Sequence, residues 1–353
     1  MGRSRSTPLV GLTIEPGRIA AAQVTVNGAI AVQHGAVAQL APGVVRDGEV
    51  ADAPALAEAL RDVWREHRDL DKRVRIGVAN ARIVVRTLLL PVIDNPKEIA
   101  TAVRFQAKDE IPMPLEDAVL DFHSVGVVDT PEGPRQRVVL VAARRDMLFA
   151  VVAAARAAGL KPTGIDLSAF GMVRALQTAA ADAGPELFVS VGGLTNLAIS
   201  DNGVCGFTRV AGGGLESLAV ELAERGELTI EHARMWLHHV GLEAELSTID
   251  GDEEIVSNAR TILVSGARKV AGEIRGSLDF HQAQSNGGSA VQRVVLTGPA
   301  AAVPGFAAAL QAELGIDVQE RVVAGARGTD LGRLDAACLT VSAGLAIEER
   351  VGS

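Results

Sequence analysis

Glycine spacing is where this sequence offers chemistry. Three turns carry it: Gly192-Gly193, Gly212-Gly213-Gly214 and Gly298. Backbone N–H groups exposed in such turns form nests for phosphate oxygens. The metal-ligand residue types offer less. The seven histidines make no HExxH or CxxC-type site, and His238-His239 reads as a solvated helix end. Cys205 and Cys338 are far apart in sequence and have no metal spacing. They read as reduced, buried, small apolar residues.

The elements that must position these turns are short strands. Leu187 to Gly214 reads as strand, glycine turn, strand, Asn202-Gly203 hairpin, strand and glycine loop. The same order runs from Leu9 to Gly28, with a turn at Glu15-Pro16-Gly17 and a hairpin at Asn27-Gly28. Laid over each other, Thr13-Ile14-Glu15 falls on Ser190-Val191-Gly192. Two readings are open: a duplicated domain with a cleft between its halves, or two unrelated hairpins.

The rest of the chain must build a core around them. With 353 residues, 48% hydrophobic and 22% charged, the chain is globular and long enough for two or more domains. A net charge of -9 argues against a nucleic-acid or anionic-lipid partner. The basic start, MGRSRSTP, is followed by an apolar run cut at Glu15, too short for a signal peptide. No run reaches the roughly 18 apolar residues of a membrane span, so any membrane contact is expected through a partner.

Local signals place the helices. Asp52 caps a helix with Pro54 in its first turn, and Leu56, Leu60, Val63 and Trp64 share one face. Val84 to Leu90, nearly all apolar, reads as a central strand. Asn95-Pro96-Lys97-Glu98 starts a helix that Ile111-Pro112-Met113-Pro114 stops near Glu110. Two strands follow, Ala118 to Val128 and Gln136 to Ala143, then a helix over Asp146 to Ala158. Helix, strand, strand, helix over Pro91 to Leu160 suggests an inserted subdomain. Ser168 starts a further helix. Helices are expected at Leu215 to Arg225, Thr229 to His239 and Glu253 to Gln282, then a QSNGGSA linker and an apolar strand at Val291 to Leu296. The next helix starts at Pro304, and the last covers Asp335 to Glu348, with Gly344 allowing close packing.

Three glycine turns over two β-rich halves resemble the actin-like ATPase superfamily. Within it the chain is similar to the FtsA/PilM family, most closely its PilM branch of type IV pilus assembly proteins, over nearly its whole length. The motifs are Phe105 to Asp121 (FQAKDEIPMPLEDAVLD), Val138 to Asp146, Ala158 to Phe170 and Val294 to Phe306. The resemblance implies an α/β, duplicated ribonuclease H-like fold in four parts. Residues 8–90 with 161–183 are the first actin-like domain, and 91–160 the inserted FtsA/PilM-type subdomain. Residues 184–214 with 290–350 are the second actin-like domain, and 215–289 its helical insertion. It also implies a protein peripheral to the cytoplasmic face of the inner membrane. Its partners would be the N-terminal cytoplasmic tail of PilN, through it the PilN–PilO–PilP platform, and the pilus motor ATPases. The tail groove would lie between the first main domain and its insertion, near Ile111, Pro112, Met113, Pro114, Leu115 and Phe122, although the two prolines also read as a plain rigid turn.

For a nucleotide, the resemblance points to Arg18, Gly192, Gly193, Thr195, Gly213, Gly214 and Gly298. The sequence departs from the family pattern in this region. Thr13 stands where the first loop's acidic residue is expected, Glu15 where a glycine is, and Ala20 where a lysine is. Ser190 replaces the second loop's Asp, and Pro299 removes a backbone donor. Mg²⁺ is held through one or two carboxylates plus phosphate oxygens, and both candidate carboxylates are gone. A charged Glu15 about 4 Å from a phosphate would repel it by roughly 4 kcal/mol at an effective dielectric near 20. The expectation is a scaffold with doubtful ATP and Mg²⁺ binding and no assigned catalytic or metal residue. The alternative is an active Mg-ATP switch, for which Asp166 is the nearest replacement carboxylate. An FtsA-like division protein lacks support because LAIEERVGS is too short and acidic for a membrane helix. A sugar kinase lacks a clear Asp base.

Overall fold

A computed structural model of the chain describes residues 9–178, 184–201, 203–284 and 290–347. In the first half, β1 (Val10–Glu15), β2 (Arg18–Asn27) and β3 (Ala29–Gln39) form a meander. After the small hairpin β4 (Val45–Arg46) and β5 (Glu49–Val50) come α1 (Ala53–Glu66), β6 (Arg73–Val78) and β7 (Val84–Pro91). Then follow α2 (Pro96–Glu110), β8 (Ala118–Thr130), β9 (Gly133–Arg144), α3 (Arg145–Ala157), β10 (Lys161–Leu167) and α4 (Ser168–Leu176). The second half has β11 (Glu186–Val191), β12 (Thr195–Asp201), β13 (Val204–Ala211), α5 (Leu215–Arg225), α6 (Ile230–Val240) and α7 (Glu253–Gln284). It ends with β14 (Arg293–Thr297), α8 (Phe306–Leu314), β15 (Asp317–Glu320), β16 (Ala324–Gly325) and α9 (Arg333–Leu345).

Two sheets decide between the readings of the repeat. One has the order β10-β6-β1-β2-β3-β16, the other β13-β12-β11-β14-β15. In both, the first three strands in chain order pair antiparallel, and the next two add parallel on the other side of the first. The unit is therefore duplicated. β16 leaves the second half to pair with β3 of the first. Asn202 of the expected hairpin lies outside the described residues, while Gly203 has a φ of 86°. Residues 285–289 of the QSNGGSA stretch, the starting residues 1–8 and Glu348 also lie outside them.

The helices exchange between the halves. α4, which follows the first sheet, packs on α9 and on the second sheet, and α9 packs on β1, β2, β3 and β6. Two glycines permit this contact: a Cβ at Gly344 would lie 1.8 Å from the Gly171 carbonyl oxygen. Local capping works as the residue types require. Asp52 accepts from the Ala55 N–H at 3.0 Å, and Asn95 from the Lys97 N–H at 3.0 Å.

The inserted subdomain differs from expectation. Its three-stranded sheet has the order β7-β9-β8, so Val84–Pro91 belongs to it as an edge strand and not to the main sheet as a central one. The expected boundary between residues 90 and 91 falls inside this sheet. The long apolar run has a physical cause. Val84, Leu88 and Leu90 face the core under α2, while Val85 joins the first domain's core. At the other boundary, α3 packs with α1, and its Met147, Leu148, Val151 and Ala154 enter that same first-domain core. Smaller corrections lie near the C-terminus. A 3-10 turn at Pro299–Ala302 precedes α8, which begins two residues after Pro304, and two short strands, β15 and β16, had no signal long enough to read.

Candidate functional site

Among the described residues, two clefts lie between the halves. The first is where the glycine turns converge. The β1–β2 turn and the β11–β12 turn meet directly: a Cβ at Gly193 would sit 2.4 Å from the Pro16 carbonyl oxygen. The Gly193 N–H donates to Glu15 Oε2 at 3.1 Å. The Gly212–Gly214 loop closes from the side, with Thr195 Oγ1 donating to the Gly213 carbonyl at 3.1 Å and the Glu216 N–H to the Gly192 carbonyl at 3.2 Å. Gly298 packs on Ser190 and Val191. Arg18 lines a residual cavity of about 20 Å³ with Thr13, Glu15, Ser190, Gly298 and Pro299. Thr195, Gly213 and Gly214 line a second cavity of about 20 Å³ with Lys269 and Glu273, so the nucleotide candidates come together, but each space suits about one water molecule.

The polar groups there are already engaged. Thr13 Oγ1 contacts the Ser342 hydroxyl at 2.8 Å and donates to the Ala20 carbonyl at 3.3 Å. Ser190 is buried. Burial pushes the Glu15 carboxyl up from its ordinary value, while the Gly193 N–H and the Arg18 charge pull it back down. Beside the turn, Arg234 of α6 grips Glu216 of α5 with two bonds of 2.9 and 2.6 Å. The same guanidinium donates to Gln39 Oε1 at 2.8 Å and to the Gly17 carbonyl at 3.5 Å. Both partners of this ion pair are largely buried, at 11% and 14% exposure.

Other candidates sit elsewhere. Asp166 is ion-paired with Arg174 and accepts from the Leu167 N–H, and it does not cap α4. His238-His239 lies in the last turn of α6 as expected, with His239 exposed and His238 half-buried. Burial and the nearby Arg18 charge lower the His238 pKa, and His239 lies 2.9 Å from the Asp250 carbonyl and edge-on to Trp236. Burial pushes the Cys205 and Cys338 thiols up to about 12 and about 11, so both are protonated at neutral pH.

The second cleft is open, with a volume of about 1100 Å³. Its first bank is the helix-free face of the inserted sheet, with Val85, Thr87 and Leu89 from β7 and Arg137 from β9. Its second bank is β13 and the end of α7. There Phe207 lies 6.1 Å from Phe280 and 5.6 Å from His281 between ring centres. Phe, Trp and Tyr together are 3% of this chain, so two phenylalanines beside a histidine at one edge mark a place apart. Both amide atoms of Asn196 and the Nε of Arg137 line this groove's walls buried and without a hydrogen-bond partner among the described residues.

The expected groove residues divide. Pro112 lines the open groove. Ile111 is buried in the subdomain's own core, with Met113, Leu115 and Phe122 packed against it, and Pro114 is exposed. Strand parity is the reason: Phe122 shares the α2-covered face with Ala118 and Leu120. The second-half residues, Asn196, Phe207, Phe280 and His281, carried no motif. Their only sequence signal was aromatic scarcity.

A family model described as type IV pilus assembly protein PilM matches residues 17–349. The chain belongs to the PilM family. Among solved structures it is similar to a "PilM-PilN type IV pilus biogenesis complex" at a TM-score of 0.78 and 24% identity, covering 96% of this chain and 97% of that one. It is also similar to the ethanolamine utilization protein EutJ from Carboxydothermus hydrogenoformans (TM-score 0.56, 16% identity, 98% and 91% covered). A third is MreB5 of Spiroplasma citri bound to ADP (0.54, 12%, 96% and 95%). At these identities the likeness concerns the fold, which in this PilM-family chain is the duplicated actin-like one.

Proposed function

We propose that this chain is a cytoplasmic scaffold of the type IV pilus inner-membrane platform, binding the N-terminal tail of PilN in the large groove, with a degenerate nucleotide site. One observation carries the reading: of the two clefts between the halves, the phosphate-turn cleft is filled by the chain's own groups, and the groove is open. The solved relative named for a PilM–PilN complex supports the partner. PilO, PilP and the motor ATPases would be reached from there. No helix among the described residues is long and apolar enough to cross a membrane, which agrees with attachment through a partner.

The residues present do not suit Mg-ATP. Thr13 and Ser190 supply no carboxylate for the metal, and the Gly193 N–H is already taken. The switch ATPase keeps one supporting feature. Lys269 of α7 stands beside the Gly213 turn, its ammonium 3.7 Å from where a Cβ would be. Calorimetric titrations decide between the two readings. The scaffold predicts saturable binding of a synthetic PilN-tail peptide and no heat from ATP at millimolar concentration, with or without Mg²⁺. Tight Mg²⁺-dependent ATP binding, lost on changing Thr195 to Ala, would replace it with the switch.

A further inference from the structure

We infer that the contact between the two turns is a latch: Glu15 places its own carboxyl oxygen on the Gly193 N–H seat that a phosphate oxygen would take, and so fixes the angle between the halves that shapes the large groove. This rests on the reading of that groove as the tail site.

The latch joins the halves at several points. From the first half come Glu15, Pro16 and Gly17 of the β1–β2 turn and Gln39 of β3. From the second come Gly193, Glu216 and Arg234. Glu15 bonds Gly193, the Pro16 carbonyl abuts it, and Arg234 crosses from Glu216 to Gln39 and Gly17. A Cβ at Gly17 would lie 2.3 Å from the Glu216 carboxyl carbon, so this turn is fitted to its neighbour.

None of these residues lines the groove. The groove's banks nevertheless belong to the same two bodies. β7 and β9 extend from the first half, while β12, β13 and α7 belong to the second. A change of angle at the turns must therefore change the distance between Thr87 and Gly206, where the two banks come close. In a ligand-driven clamp, the angle follows the ligand's concentration. Here the acceptor is part of the chain, so its binding is intramolecular and always at high effective concentration. The groove is held ready without a nucleotide cycle.

The test is deuterium exchange on the full chain and on Glu15→Ala, Glu15→Gln and Gln39→Ala. In Glu15→Ala, exchange should rise about tenfold, within the usual range of site coupling, at the Gly193 turn and at both banks, residues 84–91 and 204–211. Inorganic phosphate should slow it again in that variant and not in the unaltered chain. Glu15→Gln keeps an acceptor and should stay near the original. Gln39 is exposed, so Gln39→Ala folds regardless and should show the same direction at smaller size. Faster exchange at the turn with both banks unchanged would overturn the coupling, and failure of phosphate to restore protection would overturn the seat. Peptide titration separates the two proposals. A latch variant that binds the PilN tail about tenfold more weakly supports both. An unaltered chain that binds no peptide removes the tail reading, while exchange still decides the latch.

Discussion

The two clefts between the halves have opposite contents. At the glycine turns, backbone meets backbone, a carboxyl group takes the Gly193 N–H, and two cavities of about 20 Å³ each are left. Along β7 and β13 the same two halves stand apart over about 1100 Å³, with buried polar atoms unpartnered and three rings at the edge. An unsatisfied buried polar group costs about 1–3 kcal/mol. The Asn196 amide and the Arg137 Nε, without a partner among the described residues, are groups that water or a ligand in the groove could satisfy. The difference teaches where to look for a ligand in a duplicated fold: in the cleft the chain has not completed by itself.

The sharpest way to break the comparison is to empty the filled cleft. Arg234→Ala leaves the Glu216 carboxylate buried without its partner, which should cost about 3–5 kcal/mol. Urea unfolding would measure it. A loss below about 1 kcal/mol would show this cleft to be as open to water as the groove. A gentler pair compares the two sides directly. In Gly193→Ala the added methyl meets the Pro16 carbonyl at 2.4 Å, whereas in Gly206→Ala it meets Thr87 Oγ1 at an ordinary 3.6 Å. The first should cost about 1–3 kcal/mol, and the second should stay within about 0.5 kcal/mol of the original.

On the groove side the expected effect is on binding. Phe280 is 49% exposed, so Phe280→Ala should barely move the melting temperature. It should weaken the PilN-tail peptide by roughly 1–2 kcal/mol, as loss of an aromatic anchor does. Equal affinity of variant and original would restrict the contact to the inserted sheet.

Much of this was legible in the sequence for local reasons. Asn27-Gly28, the paired glycine turns, Asp52 and Asn95 act within a few residues of themselves, so the two meanders and the helix starts could be read directly, while their duplication was one of two open readings. The motif around FQAKDEIPMPLED pointed to the family for the whole chain. The inserted sheet was misjudged because β7 meets β9 about fifty residues later, and an apolar run does not say which sheet it joins. The burial of some expected groove residues was hidden for the same kind of reason. The Ile-Pro-x-Pro turn was visible, but the alternation that buries Ile111 and Phe122 under α2 depends on where that helix packs. Asn196 and Phe280 lie 84 residues apart in the sequence, and with Phe207 they meet only in the tertiary fold. Glu15 stood out as a departure from a pattern, but its bond to Gly193 crosses 178 residues.

That bond also gives the smallest effect and the one most specific to the filled cleft. Burial raises the folded-state pKa of Glu15 above its ordinary 4.5, so the folded chain holds this proton more tightly than the unfolded chain does. A group raised in this way contributes stability that is fully present below its unfolded pKa and is lost as pH rises through the folded value. Glu15→Gln keeps the oxygen that accepts from Gly193 and removes the titration. The variant should therefore melt slightly higher than the original at neutral pH, and the two curves should converge as pH falls toward 4.5 and below. Melting temperatures of both proteins across that range measure the difference with every other carboxylate held in common. Curves that stay parallel would mean that Glu15 is solvated in the folded chain, and the cleft between the turns would then be open like the groove.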